Sequence, residues 1–267
     1  MTFAQRYGPW AVVAGASEGV GREFARQIAA AGLPSVLVSR RQALLDELAD
    51  QIRSESGVEC LPVAIDLSSA DAERELQSAV GEREIGLYVS NAGADSNHSH
   101  FLDVDFQVWQ AQVQRNVVAT MQACHHFGRS MRERGRGGLL LIGSGACYSG
   151  ASYMATYSAT KAFELNFAES LWSELRPSGV DVLYLALNKT DTPAFRRLLA
   201  ETNQPLPSDW AAPEQVARVG LDRLPHGPVH NWDQGEDQVG FAPSSAAMRR
   251  ARVLAIDAAS RHIFGER

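Results

Sequence analysis

The chain has 267 residues, with 25 Lys and Arg against 31 Asp and Glu, giving a formal net charge of −6. Hydrophobic residues make up 45% and charged residues 21%, which excludes wholesale disorder and allows a sizeable buried core. Mild acidity with no basic stripe excludes a phosphate-backbone binder, so nucleic acid is not an expected partner.

In chain order, Ala11–Ala14 is a short apolar run that ends in glycines, and Arg22–Ala31 has helical patterning closed by Gly32. Ser35–Ser39 reads as a second strand, and the following helix carries Leu44, Leu45, Leu48 and Ile52 on one face. Val58–Ile65, Ile85–Ser90, Gly138–Ser144 and Val180–Leu187 are further strands, separated by helices near 70–80, 105–134 and 157–176. Apolar strands alternating with amphipathic helices predict an α/β chain with a doubly wound parallel sheet. After about residue 188, prolines from Pro193 to Pro243 break this rhythm into shorter elements. The expected organisation is one domain, with a cofactor-binding part over about 8–190 and a substrate lid and C-terminal helical region over about 191–267. Ser244–Phe264, with Arg249, Arg250, Arg252 and Arg261, reads there as a solvated or interface helix.

Cys60, Cys124 and Cys147 are widely spaced and form no CxxC pair, which fits a reducing compartment and no disulfide framework. No secretory signal opens the sequence, and apolar runs such as Leu139–Ile142 are too short to span a bilayer, so a cytoplasmic location is expected. His98, His100, His125, His126, His226, His230 and His262 show no metal-binding spacing, and no metal is expected.

The first strand-to-helix turn reads Gly15-Ala16-Ser17-Glu18-Gly19-Val20-Gly21. Glycines there let the backbone of Gly15, Ser17, Gly19, Val20 and Gly21 approach a pyrophosphate, whose charge meets the amides of a helix N-terminus. The rival reading is a glycine-rich turn that only packs strand on helix. The second strand ends Val38-Ser39-Arg40-Arg41, without the carboxylate that accepts hydrogen bonds from an NAD ribose. A guanidinium suits a 2′-phosphate, so NADP(H) is favoured, through Arg40 first and Arg41 second, with NAD(H) still open. Glu18 counts against that preference by adding negative charge to the loop.

Tyr157 and Lys161 stand four apart at a helix start and project from one face, and Ser144 closes the preceding strand. A tyrosine ionises near pH 10 in water, so it needs a neighbouring cation to move protons efficiently near neutrality. A serine hydroxyl beside it can polarise a carbonyl oxygen as charge develops.

Together with the Asp66-Leu67 pair, Asn91-Ala92-Gly93 and Asn116, these motifs resemble the short-chain dehydrogenase/reductase family over roughly residues 8–190. The resemblance implies a Rossmann fold, with Tyr157 as general acid/base and Lys161 as its cation and a nicotinamide-ribose ligand. It further implies that Ser144 orients substrate and that Asn116 holds a water in a proton relay. Asp66 and Leu67 would flank the adenine, Asn91, Ala92 and Gly93 would line the cofactor floor, and Thr190 would bond the carboxamide. From the residues alone, Asp66 and Asn91 read equally as strand-end caps or turn residues.

Two departures from the family pattern are Ala14, where threonine is usual, and Leu185-Ala186, in the place of a Pro-Gly pair after the sixth strand. The family also implies a homodimer or homotetramer built on two crossover helices, whose apolar faces here carry Val117 with Met121 and Leu171, Trp172 and Leu175. Asp95, Gly145, Tyr153, Phe195 and Trp210 are candidate substrate walls, suited to a small-molecule ketone, aldehyde or secondary alcohol. The expected activity is hydride transfer between NADP(H) and such a group. The rival readings are an NAD-dependent alcohol dehydrogenase and a non-catalytic dinucleotide-binding sensor or scaffold.

Overall fold

Seven short, mostly apolar segments form the strands of a computed structural model, which describes residues 1–94 and 97–232. They are β1 (Trp10–Ala14), β2 (Ser35–Ser39), β3 (Cys60–Ala64), β4 (Ile85–Ser90), β5 (Gly137–Ser144), β6 (Val180–Leu187) and β7 (Val229–Asn231). All pair in parallel, in the order β3-β2-β1-β4-β5-β6-β7. The expected strand over 58–65 starts later, at Cys60, and β7 was hidden by its three-residue length. Asp95, His262 and the expected helix Ser244–Phe264 lie outside the described residues.

The helices are α1 (Phe3–Tyr7), α2 (Gly19–Ala30), α3 (Gln42–Ser56), α4 (Ala72–Val80), α5 (Phe106–Val113), α6 (Ala119–Arg134), α7 (Ala155–Leu175), α8 (Pro193–Glu201) and α9 (Pro213–Arg223). Because side chains alternate across a strand, each strand feeds two cores. Val13, Leu37, Val89 and Leu185 meet Phe24 and Ile28 of α2, Leu45, Leu48 and Ile52 of α3, and Val216 of α9. Val12, Val36, Tyr88, Leu141 and Tyr184 meet Leu76 of α4, Phe127 and Met131 of α6, and Leu175 of α7. Each fully buried Leu, Ile or Val contributes about 1.5–3 kcal/mol relative to exposure, so these two layers hold the sheet. Leu44 stays only half-buried, and Ala49 takes the fourth inward place on α3. On α7, Trp172 also turns inward, with the Arg176 guanidinium 4.6 Å above its ring, whereas Met121 on α6 is exposed.

The helix expected over 105–134 is interrupted. Gln114–Val118 forms a π-helical turn between α5 and α6, an extra residue per turn of the kind that re-aims side chains at functional sites. At the other end of the sheet, Arg6 makes a bidentate bond to Asp181 at 2.6 and 2.7 Å, and the Tyr7 hydroxyl adds a third at 2.7 Å. This cluster pins α1 beneath β6, away from the strand ends where the order reverses between β1 and β4.

Candidate active site

At that reversal the glycine loop is held from below. Gly15 and Gly19 adopt φ of 81° and 57°, open to glycine and strained for other residues. A Cβ on Gly21 would sit 2.1 Å from the Gly15 carbonyl oxygen and 2.5 Å from Asn91 Nδ2, so helix and loop approach with no room for a side chain. Asn91 Nδ2 donates to the Gly15 carbonyl at 3.1 Å, which makes Asn91 a brace between β4 and the loop. No side chain caps the N-terminus of α2, which leaves its first-turn amides open, the arrangement that receives a pyrophosphate. The donor set therefore fits a dinucleotide.

Of the two arginines, Arg41 is the one that reaches the loop. It donates to Ser17 Oγ at 2.8 Å and to the Glu18 carboxylate at 3.0 Å. Arg40 is exposed, and its charge falls on Asp66. Glu18 also receives Arg197 of α8 at 2.8 Å, a contact the sequence did not announce. Burial alone would raise the Glu18 pKa, but Arg197 and Arg41 outweigh it and hold the carboxyl below its ordinary value. Asp66 accepts from the Ser68 amide at 3.0 Å and the Ser68 hydroxyl at 2.6 Å, a turn-closing geometry, and Leu67 is buried beside it.

Tyr157 and Lys161 lie in the first two turns of α7, with the Lys161 ammonium 6.0 Å from the Tyr157 ring centre. Lys161 is only 4% exposed. Its Nζ donates to the Ile142 carbonyl at 3.0 Å and to Glu164 at 2.8 Å. Burial acts to lower its pKa, but the Glu164 and Tyr157 charges outweigh burial and keep the ammonium charged. Asn116, in the π-helical turn, donates to the Gly93 carbonyl at 3.3 Å and to Thr160 Oγ1 at 3.0 Å, which in turn donates to the Tyr157 carbonyl. Its Oδ1 is buried without a protein partner. A Cβ on Gly93 would lie 3.0 Å from Lys161 Nζ and 3.4 Å from Asn116 Oδ1, so donor and acceptor converge on one small space. Ser144 Oγ accepts from the Ala146 amide at 3.2 Å, which leaves its proton available to a ligand.

One missed residue ties these elements together. The Tyr184 hydroxyl on β6 accepts from the Ser144 amide at 3.2 Å and donates to the Lys161 carbonyl at 3.1 Å. Its ring fills the space over Gly143, where a Cβ would come within 1.9 Å of it. Tyr184→Phe is expected to leave the Ser144 amide unpaired and to lower stability by about 1–2 kcal/mol, with a fall in kcat. Urea unfolding and steady-state kinetics check this, and an unchanged unfolding midpoint would show the two bonds to be worthless.

The path beyond β6 corrects one expectation. Leu185 and Ala186 are still ladder residues, paired with Ile142 and Gly143, so they do not occupy the turn that follows the strand. The chain leaves the sheet only after Leu187. Thr190 is buried, bonds the Asn188 carbonyl at 3.2 Å and bridges to Ala211. It is Thr192, whose hydroxyl caps α8, that approaches the glycine loop, 3.1 Å from where a Gly19 Cβ would stand. Gly145 opens a 3₁₀ turn directly after Ser144. Tyr153 is buried with its ring tilted against His100, centres 4.2 Å apart, Phe195 is half-buried on α8, and the Trp210 ring carries Arg196 at 4.7 Å. These four lie on separate segments around the C-terminal ends of the strands. Among the described residues, no group of three or more His, Cys, Asp or Glu gathers as a metal site, and no helix is long and apolar enough to cross a membrane.

The short chain dehydrogenase family model matches residues 9–203. A 7beta-hydroxysteroid dehydrogenase of Clostridium sardiniense is 32% identical over 230 residues, covering 84% of this chain and 85% of that protein. A very-long-chain 3-oxoacyl-CoA reductase of Laccaria bicolor is 38% identical over 186 residues, and the match spans 68% of this chain but only 55% of the relative. Among solved structures, a 7beta-hydroxysteroid dehydrogenase superposes with a TM-score of 0.81 at 29% identity, over 88% of this chain and 91% of that one. A short-chain dehydrogenase from Sphingobium yanoikuyae, solved in complex with NADPH, shares the fold with a TM-score of 0.77 at 24% identity, over 97% and 96%. With its seven-stranded parallel sheet, its glycine loop and this match, the chain belongs to the short-chain dehydrogenase/reductase family of oxidoreductases.

Proposed function

We propose that this chain is a single-domain NADP(H)-dependent oxidoreductase that interconverts a ketone or aldehyde with a secondary or primary alcohol. The observation that carries the reading is the convergence of Lys161 Nζ and Asn116 Oδ1 at Gly93, one helical turn from Tyr157. The bound nicotinamide would supply or accept the hydride. Tyr157 hands its hydroxyl proton to the carbonyl oxygen, and Ser144 steadies that oxygen by donating a second hydrogen bond. Lys161 holds positive charge beside the resulting phenolate and reaches a ribose hydroxyl, and Asn116 Oδ1 accepts from a relay water that returns the proton.

Gly15, Ser17, Gly19, Val20 and Gly21 take the pyrophosphate, with Asn91, Ala92 and Gly93 beneath it, Asp66 and Leu67 beside the adenine, and Thr190 near the carboxamide. Arg40 and Arg41 favour a 2′-phosphate, so reduction is the physiological direction. Gly145, Tyr153, Phe195 and Trp210 line the substrate side. The hydroxysteroid and long-chain oxoacyl relatives favour a carbonyl on a bulky apolar skeleton. The enzyme acts in the cytoplasm as a homodimer or homotetramer, for which exposed Phe106, Val113, Met121 and Phe163 offer apolar contact surface.

A second reading, an NAD-dependent alcohol dehydrogenase, draws on Glu18, whose carboxylate already occupies Arg41. The deciding assay follows nicotinamide absorbance with NADPH and with NADH across a panel of small, alicyclic and steroidal ketones. NADPH-dependent reduction of the bulky members is expected. Turnover with NADH alone would install the second reading, and no turnover with any member would sink the enzymatic one.

A further inference from the structure

We propose that Glu164 is a positioning residue for this site, its buried carboxylate fixing the Lys161 ammonium against the end of β5 and offsetting part of its charge where Tyr157 works. This rests on the acid/base reading of Tyr157 and Lys161 given above.

Glu164 and Lys161 stand three apart on α7, on the side turned into the protein, and their side chains are 3% and 5% exposed. An exposed pair at this spacing would contribute little. Buried, each charge needs the other, because neither has water to turn to. A lysine ammonium has three N–H bonds. Glu164 at 2.8 Å and the Ile142 carbonyl at 3.0 Å take two of them, from the helix and from the strand. The ammonium is thereby fixed at the Gly93 space, where its remaining N–H faces the candidate ribose and relay-water position. Without Glu164 only the Ile142 carbonyl would anchor it.

The second effect is electrostatic. Lys161 faces Tyr157 and Glu164 from its own helix and feels Arg115 from the π-helical turn. Glu164 faces Cys124 of α6, Tyr88 of β4 and Tyr184 of β6, and Cys147 lies beside Lys161 after β5. Burial, the largest influence on each of these thiols and phenols, pushes their pKa up and keeps them neutral. Burial pushes the Glu164 carboxyl up as well, against the pull of the Lys161 ammonium, so its charge rests on the 2.8 Å bond between the two. The charges to weigh are therefore the ammonium, the Arg115 guanidinium and this paired carboxylate. Glu164 thus tempers the positive field at Tyr157, and where the ammonium keeps its charge through Tyr157 and the Ile142 carbonyl, removing the carboxylate makes the phenolate easier to form. A unit charge within about 10 Å at an effective dielectric near 20 moves a titration by roughly one pH unit.

The test is the pH profile of kcat/KM for Glu164→Gln, Glu164→Met and Glu164→Asp, each first shown to bind NADPH by fluorescence titration. Both charge-removing variants are expected to move the midpoint assigned to Tyr157 down by about one unit, while Glu164→Asp stays near the parent. An unmoved or raised midpoint in Gln and Met, or an equal shift in Asp, overturns the proposal. Tyr157→Phe run alongside separates the two levels. Turnover retained in it would fail the acid/base reading, whereas a dead Tyr157→Phe with unmoved Glu164 midpoints fails this inference alone.

Discussion

Tyr157→Phe is expected to lower kcat for carbonyl reduction by about 10²–10⁴-fold, the range over which a positioned general acid contributes. The substitution removes one oxygen and keeps the ring, so the start of α7 and the 6.0 Å approach of the Lys161 ammonium are preserved. Every neighbour that builds the site is held by other contacts. Lys161 is anchored by Ile142 and Glu164, and Asn116 by Gly93 and Thr160. Cofactor affinity in the variant should therefore stay within about threefold of the parent, and the loss should fall on kcat. The position of Tyr157 adds weight to the expectation. It sits in the first turn of a 21-residue helix, where the partial positive charge of unpaired amides favours an anion, and one turn from a buried ammonium. A phenolate formed there is stabilised by both. Single-turnover reduction separates chemistry from product release, and a rate within tenfold of the parent would remove Tyr157 from the proton step.

Much of this arrangement is legible in the amino-acid sequence, and the parts that are not fail for identifiable reasons. β2, β4 and β6 match their expected bounds because β-branched and leucine runs flanked by turn residues leave little choice of register. The π-helical turn at Gln114–Val118 is invisible because one extra residue per turn barely perturbs an apolar pattern. Leu185-Ala186 reads as the place after β6 because apolar residues look alike whether they extend a strand or leave it. The ladder to Ile142 and Gly143 decides the matter. Glu164 reads as an ordinary charged helix residue, although a carboxylate three places after Lys161, on a helix with Phe163, Leu165 and Phe167 around it, was the signal available. Tyr184 gave none, since a tyrosine in a buried strand usually means packing. The sequence puts Arg40 ahead of Arg41 as the phosphate contact, and the direction in which Arg41 points cannot be read from order alone. It is set by Ser17 and Glu18, across the loop.

The two arginines shape the second large effect. The double variant Arg40→Ala/Arg41→Ala is expected to weaken NADPH binding by about 10–100-fold and NADH binding by no more than about threefold. A charge-assisted hydrogen bond to a phosphate contributes about 1.5–3 kcal/mol, and each 1.4 kcal/mol is tenfold in affinity. Both side chains are exposed, so solvent screening keeps the loss below what two such bonds sum to. Glu18 sets the scale of the remainder. It already holds Arg41 and Arg197, so a phosphate arriving beside Arg41 meets a carboxylate and draws the guanidinium away from it. The net gain from Arg41 is therefore smaller than from an arginine without a partner, and Arg40, whose charge already falls on Asp66, carries a comparable share. Fluorescence titration with each cofactor at two salt concentrations checks the argument. The NADPH loss should shrink at high salt, because an electrostatic preference is screened while the contacts common to both cofactors are not. Equal weakening of NADPH and NADH would instead mean that the arginines hold the loop through Ser17 and Glu18, and that the 2′-phosphate is read elsewhere.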